Sequence, residues 1–277
     1  MIHARHPHSD ARRSCGIDAL CTKFGQFGAV VRAGLLAFAL LVPSIAQATP
    51  VRAWVVGDST AQPLEQAFSV LLTPKEEAPL RVRTIFKISS GLIRGDVFDW
   101  PKTAGALLAK DAPDVAVLCF GPNDAQGIMP RGARAPLELG SDAWRDEYAR
   151  RVRAFADLFR ARGAQVYVML QPFSAEKKHA PKMRAVDAAL AHAVGMDPPD
   201  PGLRLLDVPA LIEAQRAARE RWLTTLAETD PKKAKRERQT GALKNVDGIH
   251  LTFAGGKVVA EYLLKEIPRA LNRAENK

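Results

Sequence analysis

At 277 residues, with 47% hydrophobic and 25% charged residues, the chain has material for one sizeable core, and disorder is excluded as a description of its body. A net charge of +10 favours encounter with anionic surfaces or polymers, without bearing on chemistry. Three cysteines, two of them within the first 21 residues, exclude an internal disulfide framework and a cysteine-based metal site in the rest of the chain.

The first 48 residues read as a leader. Lys23 and Arg32 precede the apolar stretch Ala33 to Val42, and Ala46-Gln47-Ala48 supplies a small-residue cleavage site. Those are the parts of a secretory signal, and the apolar stretch falls short of the ~20 residues a membrane span needs. Cleavage after Ala48 is expected, with residues 49–277 as one exported domain, periplasmic or secreted. Residues 1–22 stand ahead of the signal as an extension. The leader holds five basic residues and two acidic ones, a net +3, so the remainder carries +7. Nucleic acid is not an expected partner for an exported protein of this kind.

Val51 to Gly57 is a short apolar run with β-branched residues, read as a strand, and it stops at Gly57-Asp58-Ser59. Leu64, Ala67, Phe68, Leu71 and Leu72 then fall at helical spacing, with Pro63 in the first turn. Arg81 to Ile88 reads as a second strand ending in Ser89-Ser90-Gly91. A helix is predicted over Asp96 to Lys110, started by Asp96 or Asp99. Val115 to Phe120 is an unbroken apolar run, as expected of a strand buried on both faces of a parallel sheet, closed by Gly121-Pro122-Asn123-Asp124.

The strongest helix signal is Asp142 to Arg162, where Trp144, Tyr148, Val152, Phe155 and Phe159 form one stripe behind Ser141 as N-cap. Gln165 to Leu170 is a fourth strand, Lys177 to Val194 a helix, Leu203 to Val208 a fifth strand, Ala210 to Ala227 a helix, and Thr252 to Leu271 a closing helix. Pro231 to Lys244, with six basic residues against one acidic, reads as a solvated loop, or as a patch for an anionic envelope polymer. Alternating strands and helices without an internal repeat predict one α/β domain with a doubly wound, mostly parallel, five-stranded sheet.

In such sheets ligands collect at the carboxyl ends of strands. Ser59 stands at the first such end and can act as a nucleophile if a base reaches it. Asp247-Gly248-Ile249-His250 supplies one: an aspartate three residues before a histidine can orient that ring and stabilise its charged form. The N–H of Ser59, the N–H of Gly91 and the side-chain amide of Asn123 are candidate oxyanion donors. Asp58 and Asp124 are expected to be structural acceptors, and Arg94, Asp96 and Trp100 could line the pocket mouth. His179 and His192 fall in helical segments and are read as surface or core residues.

The order Ser59, Gly91, Asn123, His250, with Gly-Asp-Ser, Gly-x-Asn-Asp and Asp-x-x-His as written, resembles the SGNH (GDSL-like) hydrolase superfamily over about residues 51–270. Thr60 departs from it, where leucine is frequent. Ser89 to Leu92 with Asp96 and Asp99-Trp100, Asn123 to Gln126, and Trp144 to Arg151 look like those of an uncharacterised bacterial exported subgroup. The resemblance implies a three-layer α/β/α sandwich and hydrolysis of O-acyl esters by a Ser-His-Asp acyl-enzyme route, with no metal or cofactor. The substrate expectation is an O-acylated, for example O-acetylated, small molecule or cell-wall or extracellular carbohydrate. An O-acyltransferase using the same acyl-enzyme, and a non-catalytic envelope protein keeping the fold, are the alternatives.

Overall fold

The computed structural model describes residues 50–72, 80–172, 177–245 and 247–275. The expected leader, residues 1–48, lies outside the described residues. Residues 48–277 group by their contacts as one unit.

Five strands, β1 (Val51–Gly57), β2 (Leu80–Phe86), β3 (Val115–Cys119), β4 (Gln165–Met169) and β5 (Leu203–Leu206), form one parallel sheet in the order β2-β1-β3-β4-β5. Period-two alternation sends successive side chains to opposite faces. Trp54, Val56, Ala116, Leu118, Val166 and Val168 enter one core, and Ala53, Val55, Val115, Val117, Tyr167 and Met169 the other. Burial on both faces explains why these strands read as unbroken apolar runs.

Helices α2 (Trp100–Leu108), α3 (Asp142–Arg160) and α4 (Ala180–Gly195) supply the first core. Helices α1 (Gln62–Leu71), α5 (Val208–Thr229) and α7 (Phe253–Glu275) supply the second. The result is a three-layer α/β/α sandwich. Asp99 caps α2 by accepting from the Lys102 N–H, and Ser141 caps α3 by accepting from the Trp144 N–H.

The basic stretch after residue 230 corrects the expectation of a loop. Pro231–Thr240 is a helix, α6. Asp230 caps it through the Lys233 N–H and Pro231 occupies its first turn. Lys, Arg, Glu and Gln are good helix formers, and among its residues of described burial Ala234 alone is buried where the helix meets α5. With so little apolar material, periodicity could not reveal it.

The strand order reverses between β1, β2 and β3, so the chain leaves β1 and β3 in opposite directions across the sheet. The crevice at their carboxyl ends is where open α/β sheets receive ligands.

Candidate active site

β1 and β3 approach so closely at their ends that a Cβ on Gly57 would lie 1.9 Å from the Cys119 carbonyl oxygen. Only glycine allows that approach, and it turns the chain at Asp58, whose N–H donates to that same carbonyl at 3.0 Å. Asp58 is fully buried. Its carboxylate accepts from the Thr60 N–H at 2.8 Å and the Thr60 hydroxyl at 2.7 Å, capping a short 3₁₀ turn, Ser59–Ala61. The Asn123 side-chain amide donates to its other oxygen at 3.4 Å. Ser59, the next residue, is held half-buried at the mouth of the crevice.

The imidazole that meets Ser59 arrives from the far end of the sequence. Asp247 folds its own loop by accepting from the N–H groups of Ile249 at 2.9 Å and His250 at 3.0 Å through Oδ1. Its second oxygen, Oδ2, lies 2.8 Å from His250 Nδ1, and His250 Nε2 lies 2.8 Å from Ser59 Oγ. One carboxylate thus sets both the turn and the ring. Burial alone would raise the Asp247 pKa, but the ring N–H and the two backbone N–H groups outweigh it and hold the carboxyl below its usual range. Ionised Asp247 facing Nδ1 keeps that nitrogen protonated and leaves Nε2 a lone pair directed at the serine hydroxyl.

A cavity of about 600 Å³ opens over this pair, a size suited to a small ligand or one polymer unit. Ser59, Asn123 and His250 line it. Gly91 does not: it is buried, and its N–H donates to no acceptor among the described residues. Its lack of a side chain is required for another reason. A Cβ there would sit 2.0 Å from Asp124 Oδ1. Buried Asp124 accepts from the N–H groups of Leu92 at 2.9 Å and Ile93 at 3.0 Å and from the Tyr148 hydroxyl at 2.8 Å. It ties the turn after β2 to the turn after β3, which carries Asn123.

Three residues expected at the pocket mouth lie elsewhere. Trp100 is 1% exposed, packed edge-on against Phe98, Phe120 and Phe155, and its Nε1 donates to Ser90 Oγ at 2.9 Å. It braces the Ser90-Gly91 turn from within the core. Arg94 and Asp96 form an exposed ion pair with each other at 2.8 Å. The lining comes instead from Gln62 and Gln66 on α1, Ile88 and Ser89 after β2, and Asn245, Thr252 and Phe253 around the histidine. Ser89 holds a left-handed φ of 62°, unusual for a residue other than glycine and set beside the site. The one sequence cue to these residues was the i, i+4 pairing of Gln62 and Gln66 on the first helix after the serine.

His179 sits at the start of α4, and His192 pairs with Asp146 at 3.3 Å; neither lines the cavity. Cys119 is buried 3.7 Å from the Met169 sulfur, and burial pushes its thiol up, away from reactivity. No group of three or more metal-ligating side chains occurs among the described residues.

Burial pushes the Asp58 carboxyl up to about 6, against the Thr60 N–H and hydroxyl, which favour the charged form. An acid whose folded pKa exceeds its unfolded value of 3.8 stabilises the fold when protonated. That contribution is complete below the unfolded value and is lost as pH rises through about 6. At 1.36 kcal/mol per unit the loss amounts to about 3 kcal/mol. Urea unfolding of wild type and Asp58→Asn across this window isolates it. The difference in unfolding free energy between the two should change by that amount and then level off near neutral pH.

Among solved structures the chain is similar to TesA, with 18% identity over 79% of this chain and 99% of that one at a TM-score of 0.47. It is also similar to the psychrotrophic esterase EstA from a Pseudoalteromonas species, with 10% identity over 80% and 98% at 0.47. A third is the C-terminal catalytic domain of peptidoglycan O-acetyltransferase A from Streptococcus pneumoniae, with 13% identity over 80% and 96% at 0.45. No curated protein matches the chain. A family described as "Protein of unknown function (DUF459)" matches residues 52–266, and the chain belongs to that family.

Proposed function

We propose that this protein is an exported serine esterase that hydrolyses O-acyl esters. The observation that carries the reading is the continuous relay of two 2.8 Å contacts from Asp247 through His250 to Ser59 at the floor of an open cavity. His250 Nε2 takes the Ser59 proton as Oγ attacks the ester carbonyl. The tetrahedral oxyanion is held by the Ser59 N–H and the Asn123 amide, both of residues that line the cavity; one such donor is worth ~3–4 kcal/mol. The imidazolium then returns the proton to the departing alcohol, leaving an acyl-serine. His250 next takes a proton from water as its oxygen adds to the acyl carbonyl, and the imidazolium returns that proton to Ser59 Oγ as the carboxylic acid leaves.

Asp58 stands as an orienter in this scheme. By accepting from Asn123 it fixes the amide nitrogen, not its oxygen, beside Ser59, leaving the second N–H for the oxyanion. Export rests on the leader, and no helix among the described residues is long and apolar enough to cross a membrane.

A fluorophosphonate probe tests the nucleophile directly. Wild type should take one label, and Ser59→Ala none. Equal labelling of both, or none of wild type, removes the reading.

A further inference from the structure

A second cavity, of about 400 Å³, lies where α5 and α6 meet. Its floor is apolar, from Ile212 and Leu223, and its walls carry Arg216, Arg219, Arg238 and Lys244 against Glu213 and Glu220. The cations therefore outnumber the carboxylates by two. Arg219 has a structural task, donating to the Glu237 and Gly241 carbonyls at the end of α6. The others are under-used. Arg216 and Arg238 stand 3.6 Å and 3.7 Å from their glutamates, beyond hydrogen-bonding distance. Lys244 is half-buried and makes no hydrogen bond or ion pair among the described residues.

A half-buried ammonium without a hydrogen-bonded counter-ion, its charge answered only at a distance by Glu213 and Asp247, gains from an anion. Consistent with that, burial pushes the Lys244 ammonium below its ordinary range. Lys244 also joins this cavity to the first: it lines the α5–α6 cavity, and its neighbour Asn245 lines the one over Ser59.

The Ser59 cavity has its own bias. Gln62, Gln66 and Asn245 present side-chain amides, each both donor and acceptor, and Phe253 is 45% exposed beside them. Amides pair with vicinal hydroxyls, and an exposed ring offers a surface for the apolar face of a sugar.

We propose that the α5–α6 cavity is a carboxylate-binding subsite, so that the esterase acts on an acylated acidic polysaccharide: one unit presents its ester to Ser59 while a neighbouring uronate is held by Arg216, Arg238 and Lys244. This rests on the esterase reading for its consequence, but not for the binding itself. Binding is measured by titrating the wild-type chain with polygalacturonate lacking acyl groups, against Arg216→Gln/Lys244→Gln. Saturable binding that weakens about tenfold in the double variant, and falls with added salt, is expected.

Catalysis is measured in parallel on acetylated polygalacturonate, acetylated xylan and p-nitrophenyl acetate. The double variant should raise KM on the acidic polymer about tenfold and leave the two neutral substrates unchanged, which also shows that it folds. Equal binding by variant and wild type overturns the subsite. So does an equal loss on all three substrates, or competition by inorganic phosphate without any binding of polygalacturonate. Binding that persists in a chain that takes no fluorophosphonate label supports the subsite and removes the esterase reading alone.

Discussion

Ser59→Ala and His250→Ala should each lower kcat for p-nitrophenyl acetate by about 10⁶, and the double substitution should cost no more than either alone. Ser59 Oγ and His250 Nε2 share one proton across 2.8 Å. Without the ring, the hydroxyl at ordinary pH is almost wholly protonated and a poor nucleophile. Without the hydroxyl, the ring has nothing to deprotonate but water. Each substitution removes the same step, so their free energies cannot add. A residual rate above the uncatalysed one should remain, because Asn123 and the Ser59 backbone N–H still face the cavity in His250→Ala. Single-turnover rates of the three variants measure this. Additive losses, summing toward the square of either, would mean that Ser59 and His250 serve separate steps.

Much of this arrangement is visible in the sequence because its parts are local. Asp247 and His250 are three residues apart, and one carboxylate organises both turn and ring, so the motif carries its own geometry. The central strands β1, β3 and β4 are legible because a sheet covered on both faces demands near-continuous apolar runs. What escapes is set by contacts between distant parts of the chain. Trp100 reads as well for a pocket wall as for a core residue, and the choice follows from Phe120 and Phe155 arriving beside it. Asp124 reads as a turn residue, yet it joins three elements through Tyr148, Leu92 and Ile93. Helix α6 is hidden because its charged helix formers around Ala234 leave no periodic apolar stripe. Apart from the i, i+4 pairing of Gln62 and Gln66, the residues around the cavity share no pattern, since they come from four separate segments and meet only at the carboxyl ends of the strands.

Asp247→Asn should lower kcat by about 10⁴ while leaving the fold and KM nearly unchanged. The amide oxygen can replace Oδ1 in accepting from the Ile249 and His250 N–H groups, so the loop keeps its shape. The amide nitrogen then takes the place of Oδ2, 2.8 Å from His250 Nδ1. Being a donor, it selects the tautomer with the lone pair on Nδ1 and the proton on Nε2. Nε2 now donates to Ser59 Oγ and cannot accept its proton. The stabilising charge beside the imidazolium is lost at the same time. Asp247→Ala makes a different change, because it also removes the acceptor of two backbone N–H groups and frees the loop. It should lower kcat and raise KM together, with a lower Tm. Steady-state kinetics and thermal unfolding of both variants separate the two effects. A tenfold or smaller loss in Asp247→Asn would mean that another carboxylate orients His250, and the two 2.8 Å contacts would then describe a turn that the reaction does not use.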